Sequence, residues 1–318
     1  MTDKSLARKI CKDINTILLK NRITEFKVFP KNLEQLTNGV IIWFDPCPFK
    51  KYFYSKHVGK LKHIYAYKKA KRLVDMIKND ELHLTNLFLN EGNDPSEFSE
   101  VLLRCGQLRN FIPDDYCAQA NKCSSSSCSN PVWFNSANGT LPIDDIRKKI
   151  FIYCFTSTFN KAKHWFEYAD EDKGICAEYD IDIKNGIANQ FIHFGRVHYD
   201  KGYDFEFVKE ITNMIRKKYN LGFTPIGITK MAMMYKRNKY NWEDELRIVA
   251  NSEDSVVNTI ITNNSNYFSL VNNNVLKIKN HNPYITWEIK RVMLGNRITP
   301  KDKAAIEKVC HSKGITVD

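Results

Sequence analysis

Two stretches of this 318-residue chain carry residues whose types and spacing could do chemistry. The first is basic and aromatic. Between Pro46 and Val74 there is no acid, while Lys50, Lys51, Lys56, Lys60, Lys62, Lys68, Lys69, Lys71 and Arg72 stand among Phe49, Tyr52, Phe53, Tyr54, Tyr65 and Tyr67. These cations account for most of the net charge of +12, from 48 Lys and Arg against 36 Asp and Glu. Cations beside rings bind phosphates and stack bases. Lys50, Lys51, Lys68, Lys69 and Arg72 are therefore candidate contacts for nucleic acid, a dinucleotide or another phosphate-bearing ligand. The other reading is a solvated helix face with its rings in the core.

The second stretch is Trp242-Glu243-Asp244-Glu245-Leu246-Arg247. On its own it is consistent with the start of a strand whose carboxylates pair with Arg247, Lys236, Arg237 or Lys239, and such pairs add little on a surface. Other chemistries lack their residues. The nine cysteines scatter, and only Cys117, Cys123 and Cys128 cluster, without the short pairs or fourth ligand of a structural zinc site. The eight histidines show no metal spacing, and Glu178, Asp180 and Asp182 on one strand lack a further ligand for nuclease work, so no metal is expected. No glycine-rich dinucleotide turn, Walker loop, His-Glu-x-x-His or Gly-x-Ser-x-Gly occurs.

The elements that must position these residues follow from periodicity. Leu6, Ile10, Ile14, Ile17 and Leu18 predict an amphipathic N-terminal helix over 1–24. A short strand at Glu25–Phe29, a helix at Asn32–Gly39 and a strand at Val40–Phe44 open an α+β core, 25–54. Leu61, Ile64, Leu73 and Ile77 predict helix over 58–90, and Asp94-Pro95-Ser96-Glu97 caps another, giving a helical insertion over 55–115 that carries the basic patch. A Cys- and Ser-rich loop follows at 116–142. The main part of the core spans 143–318, with strands at 150–158, 175–182, 246–250 and 285–294, the second half-exposed, and helices at 207–215 and from Thr299 to about Gly314. Strands and helices mix without a regular βαβ rhythm, so the fold class is α+β around a mixed sheet. The dispersed, odd cysteine count predicts a reducing compartment, and the N-terminus lacks an apolar leader and cleavage site. No stretch reaches the roughly 20 apolar residues of a membrane span. A cytoplasmic location without membrane contact is expected.

Three patches in order resemble a mostly bacterial family known as domain of unknown function 2971: Tyr153–Thr158 with Trp165–Asp170 and Lys173–Cys176, then Trp242–Arg247, then Leu294–Pro300. Phe26–Phe29, Asn32–Gly39 and Trp43–Pro46 stand in the family's order as well. The chain departs from it at Glu167-Tyr168-Ala169, where the family has His-Tyr-Ala, and at Asp172-Lys173-Gly174, where it has His-x-Gly.

Order and residue types also look like the ADP-ribosyltransferase fold, a split mixed sheet. That resemblance implies NAD as substrate and an NAD-dependent transferase acting as a toxin, defence protein or effector, resident or delivered into a target cell. It places Lys27 on the first strand, Thr156, Ser157 and Thr158 at a strand end, and Glu243 and Glu245 on one strand face. Breaking the nicotinamide–ribose bond develops an oxocarbenium-like cation, which Glu245 would stabilise while gripping a ribose hydroxyl. Ser157 would help orient the ribose and Glu243 would serve the acceptor nucleophile. Lys27, Thr156, Thr158, Trp165 and Tyr168 would hold the dinucleotide, and the acceptor would be a protein or nucleic acid. The alternative class is a non-catalytic basic module binding nucleic acid or an acidic protein through the 46–74 stretch.

Overall fold

The computed structural model describes residues 3–24, 27–36, 39–44, 60–87, 89, 130–135, 148, 150–159, 161–183, 192–200, 206–219, 224–225, 232–251, 263 and 265–318. The chain has mixed α and β content and divides into two compact units, 1–55 with 93–146 and 198–238, and 56–92 with 147–197 and 239–318. The Lys50 and Lys51 cations, the expected helix after Asp94 and the Cys117–Cys128 cluster lie outside the described residues.

In the first unit, α1 (Asp3–Lys20) buries Ile10, Ile14 and Leu18, as the spacing predicts. It packs against α4 (Glu206–Tyr219), where Lys218 and Tyr219 both meet Asp13 and Lys20 meets Glu210 at 2.5 Å. Strands β1 (Pro30–Leu36), β2 (Gly39–Phe44), β5 (Asn130–Asn135) and β10 (Thr224–Pro225) form one antiparallel sheet in the order β1-β2-β5-β10. Two expectations change here. The segment predicted as a helix from Asn32 is strand, paired Leu36 to Gly39, and part of the predicted Cys/Ser-rich loop is β5. Pairing with β2 outweighs the helical propensity of Leu33-Glu34-Gln35, a propensity that tertiary context readily overrides. Strands β9 (His198–Asp200) and β11 (Tyr235–Arg237) pair in parallel.

The second unit is built on a sheet of ten described strands. Its trunk is β6 (Ile150–Thr156), paired along its length with β12 (Glu245–Asn251), which pairs in turn with β8 (Ile192–Arg196). On its other side β6 serves two neighbours. Near its start it pairs with β4 (Glu81–Asn86), which leads to β14 (Val275–Lys279) and β13 (Phe268–Val271). At its end, through Thr156 and Tyr65, it pairs with β3 (Lys60–Lys68), which leads to β7 (Ile175–Ile183), β15 (Ile285–Leu294) and β16 (Thr316–Val317). The sheet therefore divides at β6.

In its described part, the segment expected as a helical insertion is not all helix. Residues 60–86 supply β3, α2 (Ala70–Asn79) and β4, two strands of the central sheet with a helix between them. Helices α2 and α5 (Pro300–Ser312) pack together over one face, burying Leu73, Met76, Ile77, Ile306 and Cys310 against Ile64, Tyr153, Phe155, Tyr179 and Trp287. Thr299 caps α5, its hydroxyl accepting from the Asp302 N–H at 3.1 Å. On the other face α3 (Ala162–Tyr168) covers Tyr65, Tyr67, Cys176 and Met293. Both faces of the middle of the sheet are thus covered, and β7 is buried from Ile175 to Tyr179 rather than half-exposed. Among the described residues, no helix is long and apolar enough to cross a membrane.

Candidate active site

The end of β6 and the start of β12 carry the densest set of polar side chains singled out by sequence. Antiparallel register sets Thr156 opposite Glu245 and Cys154 opposite Arg247, so the four side chains share one sheet face. Glu245 and Arg247 are two apart on the strand and meet as a bidentate pair, Arg247 Nε at 2.7 Å and Nη2 at 3.1 Å from the carboxylate. Both are buried, Arg247 to 1% exposure. The pairing that sequence offered as the plain alternative is therefore present, in a buried form.

Glu243 does not share that face. The chain arrives through a 3₁₀ turn (Asn238–Glu243), and Asp244 then adopts a left-handed φ of 44°, so strand alternation begins only at Glu245. The expectation of Glu243 and Glu245 side by side on a strand is corrected accordingly. Glu243 is buried and accepts from the Tyr168 hydroxyl at 2.6 Å. Its carbonyl accepts from His164 Nε2 at 3.2 Å. Burial lowers the His164 pKa, favouring the neutral ring, and its Nδ1 has no hydrogen-bond partner among the described residues. Tyr67, Trp165, Tyr168 and Trp242 surround this histidine or one another at ring separations of 5.1–6.2 Å, and Lys163 lies 4.0 Å over Trp242.

Asp244, a spacer in the sequence reading, is the residue that gathers the hydroxyls. Ser157 Oγ donates to its carboxylate, Thr158 Oγ1 donates at 3.0 Å, and Arg196 Nη1 reaches Asp244 and Ser157 at 3.2 Å each. The Ser157 N–H donates to the Asp244 carbonyl at 3.2 Å. Thr156 Oγ1 accepts from the Thr158 N–H at 3.1 Å, so the Thr-Ser-Thr run folds back on itself. Burial alone would raise the Asp244 carboxyl, but the bonds from Ser157 and Thr158, with the nearby Arg196 and Lys161 charges, hold it below the ordinary range. Its contribution to stability is present above about pH 4, the unfolded value, and is lost as pH falls through the depressed folded value. Asp244→Ala should therefore lower the melting temperature at pH 7, with the deficit shrinking as the pH is taken toward 2; an equal deficit at both ends would disprove the assignment. The side chain is 42% exposed, so solvent screening keeps the effect small.

The same sheet face continues away from Glu245. In register across five strands stand Glu245, Thr156, Tyr65, Glu178 and Arg291, an unbroken polar row that sequence periodicity could not have aligned.

The remaining candidates lie elsewhere. Lys27 belongs to the first unit and is exposed on a non-strand segment, so the first-strand position expected of it is not what it occupies. Lys68 is half-buried, its Nζ 4.4 Å from the Tyr153 ring, and burial together with Arg72 pulls its pKa down to about 8. Arg72 Nη2 donates to the His83 carbonyl at 2.9 Å and to Thr85 Oγ1. Lys69 is exposed and pairs with Asp170 at 3.4 Å. Lys68 and Arg72 thus serve the junction of β3, α2 and β4 rather than an open basic surface. Among the described residues, no group of three or more His, Cys, Asp or Glu is placed to hold a metal ion. No family model, no curated protein and no solved structure matches the chain.

Proposed function

We propose that the second unit is an NAD-dependent ADP-ribosyltransferase acting on a protein or nucleic acid. The observation that carries this reading is the register of β6 on β12, with Thr156 facing Glu245, the Ser157 and Thr158 hydroxyls on the neighbouring acid, and the Trp165, Tyr168 and Trp242 rings close by in sequence and space. A sheet that divides at β6, with this hydroxyl run at the dividing end, is consistent with the split-sheet resemblance.

In this reading Glu245 faces the ribose. Arg247 favours its ionised form, and the carboxylate stabilises the positive charge that grows on the anomeric carbon as nicotinamide leaves. Thr156 and Ser157 orient the ribose hydroxyls, and Trp165 and Tyr168 offer rings to the nicotinamide. Glu243, engaged by Tyr168, holds that wall in place and reaches an acceptor only if the Tyr168 bond opens. The basic-module reading loses two of its five cations, Lys68 and Arg72, to internal contacts.

The test is nicotinamide release from NAD by wild type and Glu245→Gln, with labelled NAD followed into the protein and nucleic-acid fractions of a lysate. A loss of about 100-fold or more is expected in the variant. Ser157→Ala, which keeps the buried ion pair, should lose activity with an unchanged melting temperature at low pH. Wild type that neither binds NAD nor releases nicotinamide would refute the reading.

A further inference from the structure

The candidate site is bordered by a basic, aromatic rim. Directly after the hydroxyl run the chain reads Phe159-Asn160-Lys161-Ala162-Lys163-His164-Trp165-Phe166, with two lysines and no acid. The segment that meets it, Asn238-Lys239-Tyr240-Asn241-Trp242, has a third lysine and again no acid. Two contacts join the segments: Lys161 Nζ donates to the Trp242 carbonyl at 3.1 Å, and Lys163 Nζ lies 4.0 Å over the Trp242 ring. Lys239 Nζ lies 4.7 Å from the centre of the Tyr240 ring. The rim is continuous with the site, since Thr158 precedes Phe159 while Glu243 and Asp244 follow Trp242.

Charge on this rim is left uncompensated. Lys161, Lys163 and Lys239 have no carboxylate partner among the described residues; a carbonyl or a ring steadies each one and leaves its full positive charge. The two acids that close the rim are already engaged. Glu243 is buried against Tyr168, and Asp244 is taken up by Ser157, Thr158 and Arg196. The first exposed acid along α3 is Glu167, just past Phe166. Lys163 and Lys239 are exposed.

The rings are open as well. Phe159 is 41% exposed and Phe166 61%. Lys163 and Phe166 are three apart on α3, so a cation and a ring stand side by side on one helix face. Uncompensated cations between open rings suit a single strand, whose phosphates meet the cations and whose bases stack on the rings. An acidic peptide would satisfy the lysines and leave both rings in water. A duplex keeps its bases stacked inside, away from the rings.

We propose that this rim binds single-stranded nucleic acid and that the strand is the acceptor for the site it borders. The acceptor role rests on the transferase reading; the binding does not. In the transfer, a nucleophilic oxygen or nitrogen of the strand bonds to the anomeric carbon as the bond to nicotinamide breaks. The electron pair of that bond leaves with nicotinamide, whose ring becomes neutral, and the nucleophile's proton passes to solvent.

The probe is a fluorescein-labelled strand of about 12 nucleotides, within the site size of such surfaces, read by anisotropy with the full chain and no NAD. Wild type should bind it more tightly than the same strand annealed to its complement. Because the whole chain carries +12, the variants are matched in charge. Lys163→Glu with Lys239→Glu should weaken binding at least about tenfold and make the dependence of log affinity on log salt shallower by about 1.4, the equivalent of two phosphate contacts. Lys301→Glu with Lys308→Glu, exposed on α5 over the opposite sheet face, removes the same charge and should leave affinity within about twofold of wild type. Phe166→Ala should lose about fivefold or more at an unchanged salt dependence. Equal losses in the two charge-reversed pairs, or a duplex preferred to the strand, overturn the binding. Labelled NAD reads the acceptor role separately: label in the nucleic-acid fraction is expected, and label in protein alone overturns it. Wild type that binds the strand but releases no nicotinamide refutes the transferase reading, and the acceptor role with it, while the binding surface stands.

Discussion

Arg247→Met should destabilise the protein by about 3–5 kcal/mol, read as a lower urea midpoint at unchanged slope. The guanidinium is 1% exposed and makes two bonds to a carboxylate that is itself 5% exposed. Removing one partner leaves the other charge in a medium that cannot solvate it, and that penalty exceeds what the pair itself contributed. The double change Glu245→Leu with Arg247→Met should recover most of the loss, because two apolar chains then fill the space of two charges. This comparison also separates folding from chemistry. If Glu245 is the ribose-facing acid, the stable double variant still releases no nicotinamide. A single Arg247→Met variant as stable as wild type would mean that the pair is solvated in solution, contrary to its burial.

The second large effect is expected at two glycines. A Cβ on Gly174 would fall against the carbonyl oxygens of Lys68 and Ala169, and one on Gly295 against the carbonyl of Asp172. The obstacles are backbone, which cannot swing aside as a side chain can. These glycines let three segments approach closely: Gly174 N–H donates to Ala169 O at 2.7 Å, Gly295 N–H to Gly174 O at 2.9 Å, and Arg297 N–H to Asp172 O at 2.9 Å. Asp170, Glu171 and Asp172 are all left-handed in between. Either Gly→Ala change should cost about 3 kcal/mol. Gly314→Ala is the control. Its φ is +68° but nothing lies within 4 Å of the added carbon, so only about 1 kcal/mol of backbone strain is expected. Thermal and urea unfolding of the three variants would check the order, and equal effects at all three would remove the steric argument.

How far these sites were legible in the sequence depended on the kind of signal. The cap of α5 was readable because Thr299, Pro300 and Asp302 act through local bonds. Strands β6, β12 and β15 were readable because long apolar runs leave little choice. Strand β3 was not. Leu61 and Ile64 fall three apart by accident of a bulge, and Ile64 to Tyr67 are buried on both faces, so neither period 2 nor period 3.6 survives. The candidate residues at the ends of β6 and β12 could be named individually, since their chemistry is in their type. That Asp244, not Glu243, meets the hydroxyls depended on one left-handed residue, and the row from Glu245 to Arg291 depended on four strand registers. Register is a property of distant pairings and leaves no local trace.

The route of the chain through the divided sheet sets the timing of its synthesis. Strand β3 leaves the ribosome early, its neighbour β6 about 90 residues later, β12 later again, and β16 last of all. At about 5–20 residues per second, roughly 13–50 s separate Leu61 from Thr316. Until β15 is made, β7 presents an unsatisfied edge, and the face of β3 and β7 that α5 helps to cover stays open. Nascent chains of this protein should therefore engage holding chaperones until the final helix emerges, and yield should rise when translation is slowed or chaperone capacity is raised.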